Sequence, residues 1–378
     1  MRKFTVVCLT GVLVASLVAC GKTTIKEDGS SIPTQSITSG ENAGNSNGDQ
    51  TSQEKPEKIT IKAYNANKEE IELEVPYDPQ RIAVLDFAAL DVLDALGMGN
   101  RVVGTAKTSI SYLAKYSDDK EVANLGTIKE ADLETVMKSN PDVIFIGGRL
   151  ASSYDILSEI APVIYLSTDL ELGVVDSVAK NATTIASLFG LEEEVAGMTA
   201  DFADRIAKIQ EISKDKTTLV GMTTSGSFNI LGNDGRCSII GKELGFTNIG
   251  LDVVTSEGGR GDYGKGQGGN SENKGQGGNG GSNGTGSTGT HGNEASFEVV
   301  VAKNPDYIFV MDRDSAIATE GAQMAQEIME NELIQGTDAY KNGNIVYLAN
   351  PNVWYTAEGG INALDIMLND VENALGIK

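Results

Sequence analysis

Apolar and polar residues alternate along two short stretches that follow residue 58. Positions 59–63 and 71–75 each place an apolar side chain at every second residue, and glutamates fill the gaps in the second stretch. An alternation of period two is typical of a β-strand with one buried face. Because only a few polar residues, centred on 65–68, separate the two stretches, the pattern predicts a β-hairpin.

From residue 81 onward, short continuous apolar runs alternate with segments of helical periodicity. The runs interpreted as buried parallel strands are 82–85, 102–103, 143–146 and 163–166, and the helical segments between them include 87–96, 132–139 and 154–160. Such an alternation of strands and helices predicts an α/β lobe, which we assign to residues 58–190.

A longer helical pattern over residues 174–213 follows, with a break at Gly190. The apolar stripe after this break predicts one long helix over 191–214. Strand-like segments at 217–223, 229–231, 307–311 and 345–348 come next, with helical segments among them. They predict a second α/β lobe over 215–378. The expected fold class is therefore α/β, with two Rossmann-like lobes joined by a long inter-lobe helix and a ligand cleft between them.

Residues 256–294 interrupt the second lobe. They contain 16 of the 44 glycines of the chain and few apolar side chains, so we predict a disordered loop insertion. Two literal Gly-x-Gly-x-x-Gly matches occur here, at 264–269 and 275–280. Neither follows a predicted strand or opens a helix, which argues against a dinucleotide site.

The amino terminus has the pattern of a secretory signal. Two basic residues precede an apolar run over 4–19, which closes on Leu17-Val18-Ala19-Cys20. This pattern predicts a signal peptide over 1–19 and a lipidated Cys20, although an ordinary signal peptide with a chance cysteine is the alternative. Polar and small residues dominate 20–57, which we interpret as the lipidated cysteine and a flexible tether. We therefore expect a protein anchored by lipid on the extracytoplasmic face of the cell membrane.

Charge and cysteine content narrow the possible partners. The chain carries a net charge of −23, and removal of residues 1–19 would make it 28 − 53 = −25. Nucleic acid is excluded as a partner at that charge. Cys8 would leave with the signal peptide and Cys20 would carry lipid, so Cys237 alone remains. A mature monomer, the expected state, would then have no disulfide.

An internal repeat links the two predicted lobes. Residues 132–149 and 296–313 align at a constant offset of 164, with eight of 18 positions identical. Each copy reads as a helix, an Asn-Pro-Asp stop, a buried strand and an arginine just beyond the strand, Arg149 or Arg313. Asn-Pro-Asp suits this position because proline does not extend the helix and Asp favours a turn. Two lobes of similar construction follow from this repeat.

The two repeated arginines indicate where a ligand would bind. In open α/β sheets, ligands bind beyond the carboxyl ends of the strands, where Arg149 and Arg313 are both expected. If the lobes face each other, both guanidinium groups point into one cleft, and they suit anionic oxygens. The alternative is that each arginine forms a structural salt bridge within its own lobe.

Several short motifs carry a resemblance to a known family. They are Pro-Gln-Arg-Ile-Ala-Val-Leu-Asp at 79–86, both Asn-Pro-Asp motifs, Ile-Gly-Gly-Arg at 146–149, Leu-Gly-Asn-Asp-Gly-Arg at 231–236, Met-Asp-Arg at 311–313 and Asn-Val-Trp-Tyr at 352–355. Over residues 58–378, except the insertion, the chain resembles the siderophore-binding lipoproteins of ABC iron importers. These belong to a helical-backbone class that also includes cobalamin and heme binders. The resemblance is closest to catecholate binders of the petrobactin and enterobactin type.

The resemblance implies a ligand and the residues that bind it. The ligand would be an iron(III)–siderophore complex, with no separate cofactor and no enzymatic activity. Arg149, Arg236 and Arg313 match the three cleft arginines of the catecholate binders. Tyr355 and Trp354 would cover the ring faces of the ligand.

Two further pairs of residues follow from the resemblance. His291 and Tyr355 match positions that contact iron directly when the siderophore leaves coordination sites open, although the insertion that ends near His291 departs from the family pattern. Glu134 and Glu298 match surface glutamates that dock arginines of the permease dimer. A helix-capping role is the alternative for these two glutamates.

Three other functions compete with this interpretation. An enzyme would normally need a catalytic pair such as Cys and His, but the chain has one His, and Cys237 is better interpreted as a buried core residue. A site for free zinc or manganese would need several converging His or carboxylate side chains. Cobalamin or heme binding by the same architecture is the main alternative.

Overall fold

The structure is a computed structural model that describes residues 56–169, 171–253, 293–294 and 297–377. The predicted signal peptide, Cys20, nearly all of the tether, His291 and nearly all of the predicted insertion lie outside these ranges. The described chain begins with strands β1 (Lys58–Tyr64) and β2 (Glu70–Pro76), which pair antiparallel. The predicted hairpin is confirmed, and Lys68 in its turn adopts a left-handed φ of 62°.

A five-stranded parallel sheet forms the centre of the first lobe. Its strands are β3 (Ile82–Leu85), β4 (Val102–Thr105), β5 (Ala123–Asn124), β6 (Val143–Ile146) and β7 (Val163–Tyr165), in the order β5-β4-β3-β6-β7. The four apolar runs predicted as buried strands all lie in this sheet. They are recognisable because a strand covered on both faces is apolar throughout.

Five helices accompany this sheet. They are α1 (Phe87–Ala95), α2 (Ala114–Ser117), α3 (Leu133–Lys138), α4 (Tyr154–Ser158) and α5 (Val174–Ser187), with short 3-10 helices at Gly99–Arg101 and Gly148–Ser153. Asp86 ends the loop after β3, and its carboxylate caps α1 by accepting a hydrogen bond from the Ala89 N–H at 3.1 Å. Helix α5 ends shortly before Gly190, where a break in the helical pattern was predicted. Gly190 has a φ of 68°, a conformation that is common just after the end of a helix.

The predicted long helix over 191–214 is not confirmed. The segment forms two helices, α6 (Glu192–Met198) and α7 (Phe202–Ser213), separated by a turn. Gly197 and Thr199 both disfavour helix at this point. The Thr199 hydroxyl donates to the Val195 carbonyl at 3.0 Å, and this carbonyl also accepts the Thr199 N–H at 3.1 Å. The apolar periodicity continues across the turn, so the pattern gives no sign that the helix is interrupted.

The second sheet mixes parallel and antiparallel pairs. Its described strands are β8 (Thr217–Thr224), β9 (Ser227–Ile230), β10 (Thr247–Asn248), β11 (Asn293–Glu294), β12 (Tyr307–Asp312) and β13 (Ile345–Tyr347). The order is β11-β9-β8-β12-β13, with β10 beside β8. The strand predictions are confirmed, and a tight turn at Ser225-Gly226 makes β8 and β9 antiparallel. Strand β11 consists of the last two residues of the predicted insertion.

In the described part of the chain, eight helices surround the second sheet or follow it. They are α8 (Ser238–Lys242), α9 (Phe297–Lys303), α10 (Arg313–Ala316), α11 (Ala325–Met329), α12 (Glu332–Gln335), α13 (Asp338–Lys341), α14 (Pro351–Thr356) and α15 (Ile361–Leu375). The last helix packs against α1, α5 and α7. Asp91 of α1 accepts hydrogen bonds from the N–H groups of Asn362 and Ala363, at 2.9 and 3.0 Å. The carboxyl-terminal helix is thereby tied to the first lobe.

Strand β12 shows how the core is shared. Phe309 and Met311 pack into a large apolar cluster that also contains the core of the first lobe. Ile308 and Val310, on the opposite face, pack into a separate smaller cluster. Because successive side chains of a strand alternate between faces, one face of the second sheet joins a core that continues into the first lobe.

The internal repeat extends to the backbone. Asn140 and Asn304 both adopt left-handed conformations, with φ of 45° and 41°. Asp142 accepts hydrogen bonds from the N–H groups of Gln80 and Arg81, directly before β3. Asp306 accepts from the N–H and hydroxyl of Thr217, at the start of β8. Each Asn-Pro-Asp motif therefore ends a helix and holds the beginning of the neighbouring strand.

Candidate functional site

Tyr355 lies at the centre of a cluster of three arginines. It belongs to α14, which begins at Pro351, and only 5% of its surface is exposed. The guanidinium carbons of Arg149, Arg236 and Arg313 lie 5.4, 4.4 and 5.9 Å from the centroid of its ring. All three distances fall within the range of cation–π interactions. Residues that the sequence separates by up to 206 positions thus meet around one phenol.

Different elements bring the three arginines to this ring. Arg149 lies in the 3-10 helix after β6, and its Nη2 donates to the backbone carbonyl of Tyr355 at 2.9 Å. Arg236 comes from the loop between β9 and α8. Arg313 is the first residue of α10, directly after β12. The repeated arginines therefore follow the carboxyl ends of equivalent strands, as predicted.

Arg313 has a second set of contacts within its own lobe. Its Nη1 lies 3.0 Å from the buried carboxylate of Asp314 and 3.3 Å from the Thr224 hydroxyl. Its Nε donates to the Tyr355 hydroxyl at 3.4 Å. The structural salt bridge considered as an alternative for both repeated arginines is thus present at Arg313, together with the contact to the cleft tyrosine.

The arginines change the acidity of the phenol. Burial alone would raise the pKa of Tyr355, but the charges of Arg236, Arg313 and Arg149 and the hydrogen bond from Arg313 outweigh burial. The pKa of this phenol is therefore lowered from its ordinary value of 10.0. A cluster that stabilises a phenolate also favours other anionic oxygens placed beside it.

A cleft of about 190 Å³ opens beside the cluster. Arg149, Arg236 and Tyr355 line it together with the carboxyl groups of Asp86 and Glu358. Burial raises the pKa of Asp86, and it raises the pKa of Glu358 to about 7 although Arg236 and Arg149 oppose the shift. The cleft therefore combines guanidinium groups with carboxyl groups that lose a proton less readily than usual.

Sequence reasoning did not identify the two carboxyl groups. Asp86 could have been found by the rule that located Arg149, because Asp86 directly follows β3 in the same sheet. Glu358 had no comparable signal, since it accepts a hydrogen bond from the N–H of Cys237, which lies 121 positions away.

Trp354 is not part of this cleft, contrary to the prediction. Its side chain has 0% exposure, and its indole N–H donates to Asp370 at 2.9 Å. Successive residues of an α-helix project about 100° apart. Because Tyr355 faces the arginines, its neighbour faces the core, so Trp354 is removed from the set of candidate ligand contacts.

Other candidate residues also have defined positions. Cys237 is buried, and burial raises the pKa of its thiol well above the ordinary value, which argues against a reactive nucleophile. Glu134 and Glu298 are exposed in the first turns of α3 and α9. Within the described ranges, no group of three or more His, Cys, Asp or Glu side chains converges as a metal site.

Family comparison agrees with this architecture. Residues 82–260 and 277–351 match the family described as periplasmic binding protein. The chain belongs to this family. Periplasmic binding proteins bind substrates rather than convert them, which agrees with the predicted absence of enzymatic activity. They act outside the cytoplasm, and no helix in the described part of the chain is long and apolar enough to cross a membrane.

Individual periplasmic binding proteins are similar over most of their length. The chain is 30% identical to the petrobactin-binding protein YclQ of Bacillus subtilis over 324 residues, which cover 85% of this chain and 89% of YclQ. The crystal structure of YclQ matches with a TM-score of 0.70 and 29% identity, over 85% of this chain and 99% of YclQ. The periplasmic catecholate-siderophore binding protein VctP of Vibrio cholerae matches with a TM-score of 0.67 and 27% identity, over 83% and 100%. The resemblance proposed from sequence motifs is confirmed.

Proposed function

We propose that this periplasmic binding protein captures a ferric catecholate siderophore outside the cell and delivers it to an ABC importer. The observation that carries the proposal is the convergence of Arg149, Arg236 and Arg313 on Tyr355. A ferric catecholate is an aromatic polyanion, so guanidinium groups suit its oxygens and a tyrosine ring suits its faces. The relatives named for petrobactin and for catecholate siderophores support this choice.

The size of the cleft bears on how such a ligand would bind. Clefts for drug-sized ligands commonly measure about 300–1,000 Å³, whereas this one measures about 190 Å³. One catecholate arm would enter beside Tyr355, and the rest of the complex would extend across the open mouth. Arg313, which is not among the residues lining this space, would meet the ligand there.

Direct contact with iron is proposed for Tyr355 and His291. A siderophore with two bidentate arms leaves two of the six positions of iron open, and a phenolate and an imidazole could fill them. The lowered pKa of Tyr355 supports the phenolate part. The contribution of His291 rests on the sequence motif alone.

Delivery and anchoring complete the proposal. The exposed carboxylates of Glu134 and Glu298 occupy equivalent turns of the two repeated helices, which supports docking to a permease dimer with basic sites. Cys20 would carry the lipid that holds the protein, expected to be a monomer, at the membrane surface.

A titration with a ligand panel tests the proposed function. Purified protein should bind ferric complexes of bis- and tris-catecholates with a dissociation constant on the order of 1 µM or lower, about −8 kcal/mol. Ferric citrate serves as the control for iron without catecholate. Binding of cobalamin or heme, with no binding of any catecholate complex, would support the alternative ligand class instead.

A further inference from the structure

Glu358 links two segments that carry cleft residues. Its Oε1 accepts a hydrogen bond from the backbone N–H of Cys237 at 3.1 Å. Cys237 directly follows Arg236, and Glu358 lies two residues beyond the end of α14, the helix that contains Tyr355. The Glu358 carboxyl group therefore joins the loop that carries Arg236 to the segment that follows the helix of Tyr355.

The backbone at Cys237 needs such support. Cys237 has a φ of 60°, in the left-handed region that residues other than glycine seldom adopt. It also precedes α8 without a side-chain hydrogen bond that caps this helix. A residue held in this conformation persists only when its surroundings stabilise it. The contact with Glu358 is one such stabilising interaction.

Arg236 lies directly before this turn. Its guanidinium carbon lies 4.4 Å from the centroid of Tyr355, the shortest of the three arginine distances. If the N–H of Cys237 lost its acceptor, the turn could relax and Arg236 would leave the ring. Glu358 also lies close enough to attract Arg236 electrostatically, so two interactions act on the same arginine.

We propose that Glu358 is a positioning residue that holds Arg236 over the Tyr355 ring through the backbone of Cys237. The positioning itself is a property of the ligand-free protein. Its consequence for affinity rests on the proposed function, because only an anionic ligand would depend on the direction of Arg236.

The first test needs no ligand. In the NMR spectrum, the Nε–Hε signal of Arg236, assigned with Arg236→Lys, should carry a ring-current shift from Tyr355. Glu358→Ala should abolish this shift, whereas Glu358→Gln should retain it because its carbonyl still accepts the N–H. Asp86→Asn controls for the loss of a different cleft carboxylate and should leave the Arg236 signal in place. An unchanged signal in Glu358→Ala would overturn the proposal.

A second variant covers the case in which Glu358→Ala does not fold. Glu358→Asp keeps the charge but shortens the side chain by one methylene, so the shift of Arg236 should still decrease. A full shift in this variant would contradict positioning through the Cys237 N–H.

Affinity provides the second readout, with the ferric complex of 2,3-dihydroxybenzoate as the probe. Glu358→Ala should weaken binding about tenfold or more, the cost of one misplaced charge-assisted partner, and Glu358→Gln should restore most of it. Equal losses in both variants would contradict positioning and indicate direct contact with the ligand. If the probe does not bind the unmodified protein while the NMR shift responds as expected, the proposed function fails and the positioning role stands.

Discussion

The two copies of the repeat present their arginines in different ways. Both copies share a helix, a left-handed asparagine and a strand, and both end on an arginine near Tyr355. Arg149 lies in a 3-10 helix and donates to the backbone carbonyl of Tyr355, in the other lobe. Arg313 begins an α-helix and contacts the hydroxyl of Tyr355 and the buried Asp314 of its own lobe.

This difference separates two roles that sequence alone could not distinguish. A repeated scaffold brings both guanidinium groups to the cleft, because both follow the carboxyl ends of parallel strands. The residues that directly follow the two arginines also differ. Leu150 follows Arg149 and is buried in the core, whereas Asp314 follows Arg313 and forms an ion pair with it. Arg313 therefore contributes to the stability of its lobe as well as to the cleft.

The largest expected effect concerns the exposed helices of the repeat. Charge reversal of both Glu134 and Glu298 to Lys should abolish iron uptake in cells and leave ligand affinity unchanged, since both carboxylates are exposed on helix surfaces. Uptake of a radiolabelled ferric siderophore measures the effect. Reversal of Glu332, exposed in α12, is a matched control. Normal uptake by the double variant would leave only the role of these glutamates at helix amino termini.

Both repeated arginines should matter for affinity, and Arg313 should also matter for stability through its ion pair. Arg149→Ala and Arg313→Ala should each weaken ligand binding about 10- to 150-fold, from the loss of about 1.5–3 kcal/mol. Arg313→Ala should also lower the free energy of unfolding by about 1–3 kcal/mol, because Asp314 loses its ionic partner. Asp314 still accepts a hydrogen bond from the N–H of Ser225 at 2.6 Å, which limits the loss of stability. Denaturant unfolding measures this loss, and an unchanged free energy of unfolding in Arg313→Ala would contradict the structural role of its pair with Asp314.

The Asn-Pro-Asp motifs should behave alike. Asp142→Ala and Asp306→Ala should each lower the free energy of unfolding by about 1–3 kcal/mol, because backbone N–H groups at the start of a strand lose their acceptor. Hydrogen bonds from the N–H and hydroxyl of Thr217 lower the pKa of Asp306 below its ordinary 3.8. The stability from Asp306 is therefore complete above the unfolded-state pKa and is lost as the pH falls through the lower folded-state pKa.

Acid unfolding of the unmodified protein and Asp306→Asn measures this dependence. The stability curves of the two should begin to converge near the unfolded-state pKa of about 4, and they should meet only below the lower folded-state pKa of Asp306. Curves that stay parallel down to the acid limit would show that the Asp306 carboxylate does not contribute in this way.

The smallest expected effect concerns the left-handed asparagines. Asn140→Ala should destabilise by about 1 kcal/mol, whereas Asn140→Gly should be close to neutral, since glycine tolerates positive φ. At Asn304 both substitutions also remove the side-chain hydrogen bonds with Asp338, each 2.8 Å long, so Asn304→Gly should destabilise the protein as well. Thermal unfolding of the four variants is sufficient to compare them. Equal destabilisation by Asn140→Gly and Asn140→Ala would contradict the role given to positive φ at this position.

The sequence predicted features that depend on local pattern or on the repeat. The strand at 82–85 was recognisable from four consecutive apolar residues, and Arg149 and Arg313 from their place after repeated strands. Arg236 lies outside the repeat and was identified only through the family resemblance. The interruption between α6 and α7 was missed because the apolar stripe keeps its period through the turn, although Gly197 and Thr199 disfavour helix there. The buried position of Trp354 and the contact of Glu358 with Cys237 depend on tertiary packing between distant segments, which periodicity does not report.

The central claim is that the arginine cluster around Tyr355 holds a ferric catecholate. A crystal structure of the protein with the ferric complex of 2,3-dihydroxybenzoate tests it most directly. Catecholate oxygens should lie about 2.7–3.2 Å from guanidinium nitrogens of Arg149 and Arg236, with a ligand ring against Tyr355. A complex bound outside the cleft, or one that leaves both guanidinium groups without ligand contact, would contradict the claim.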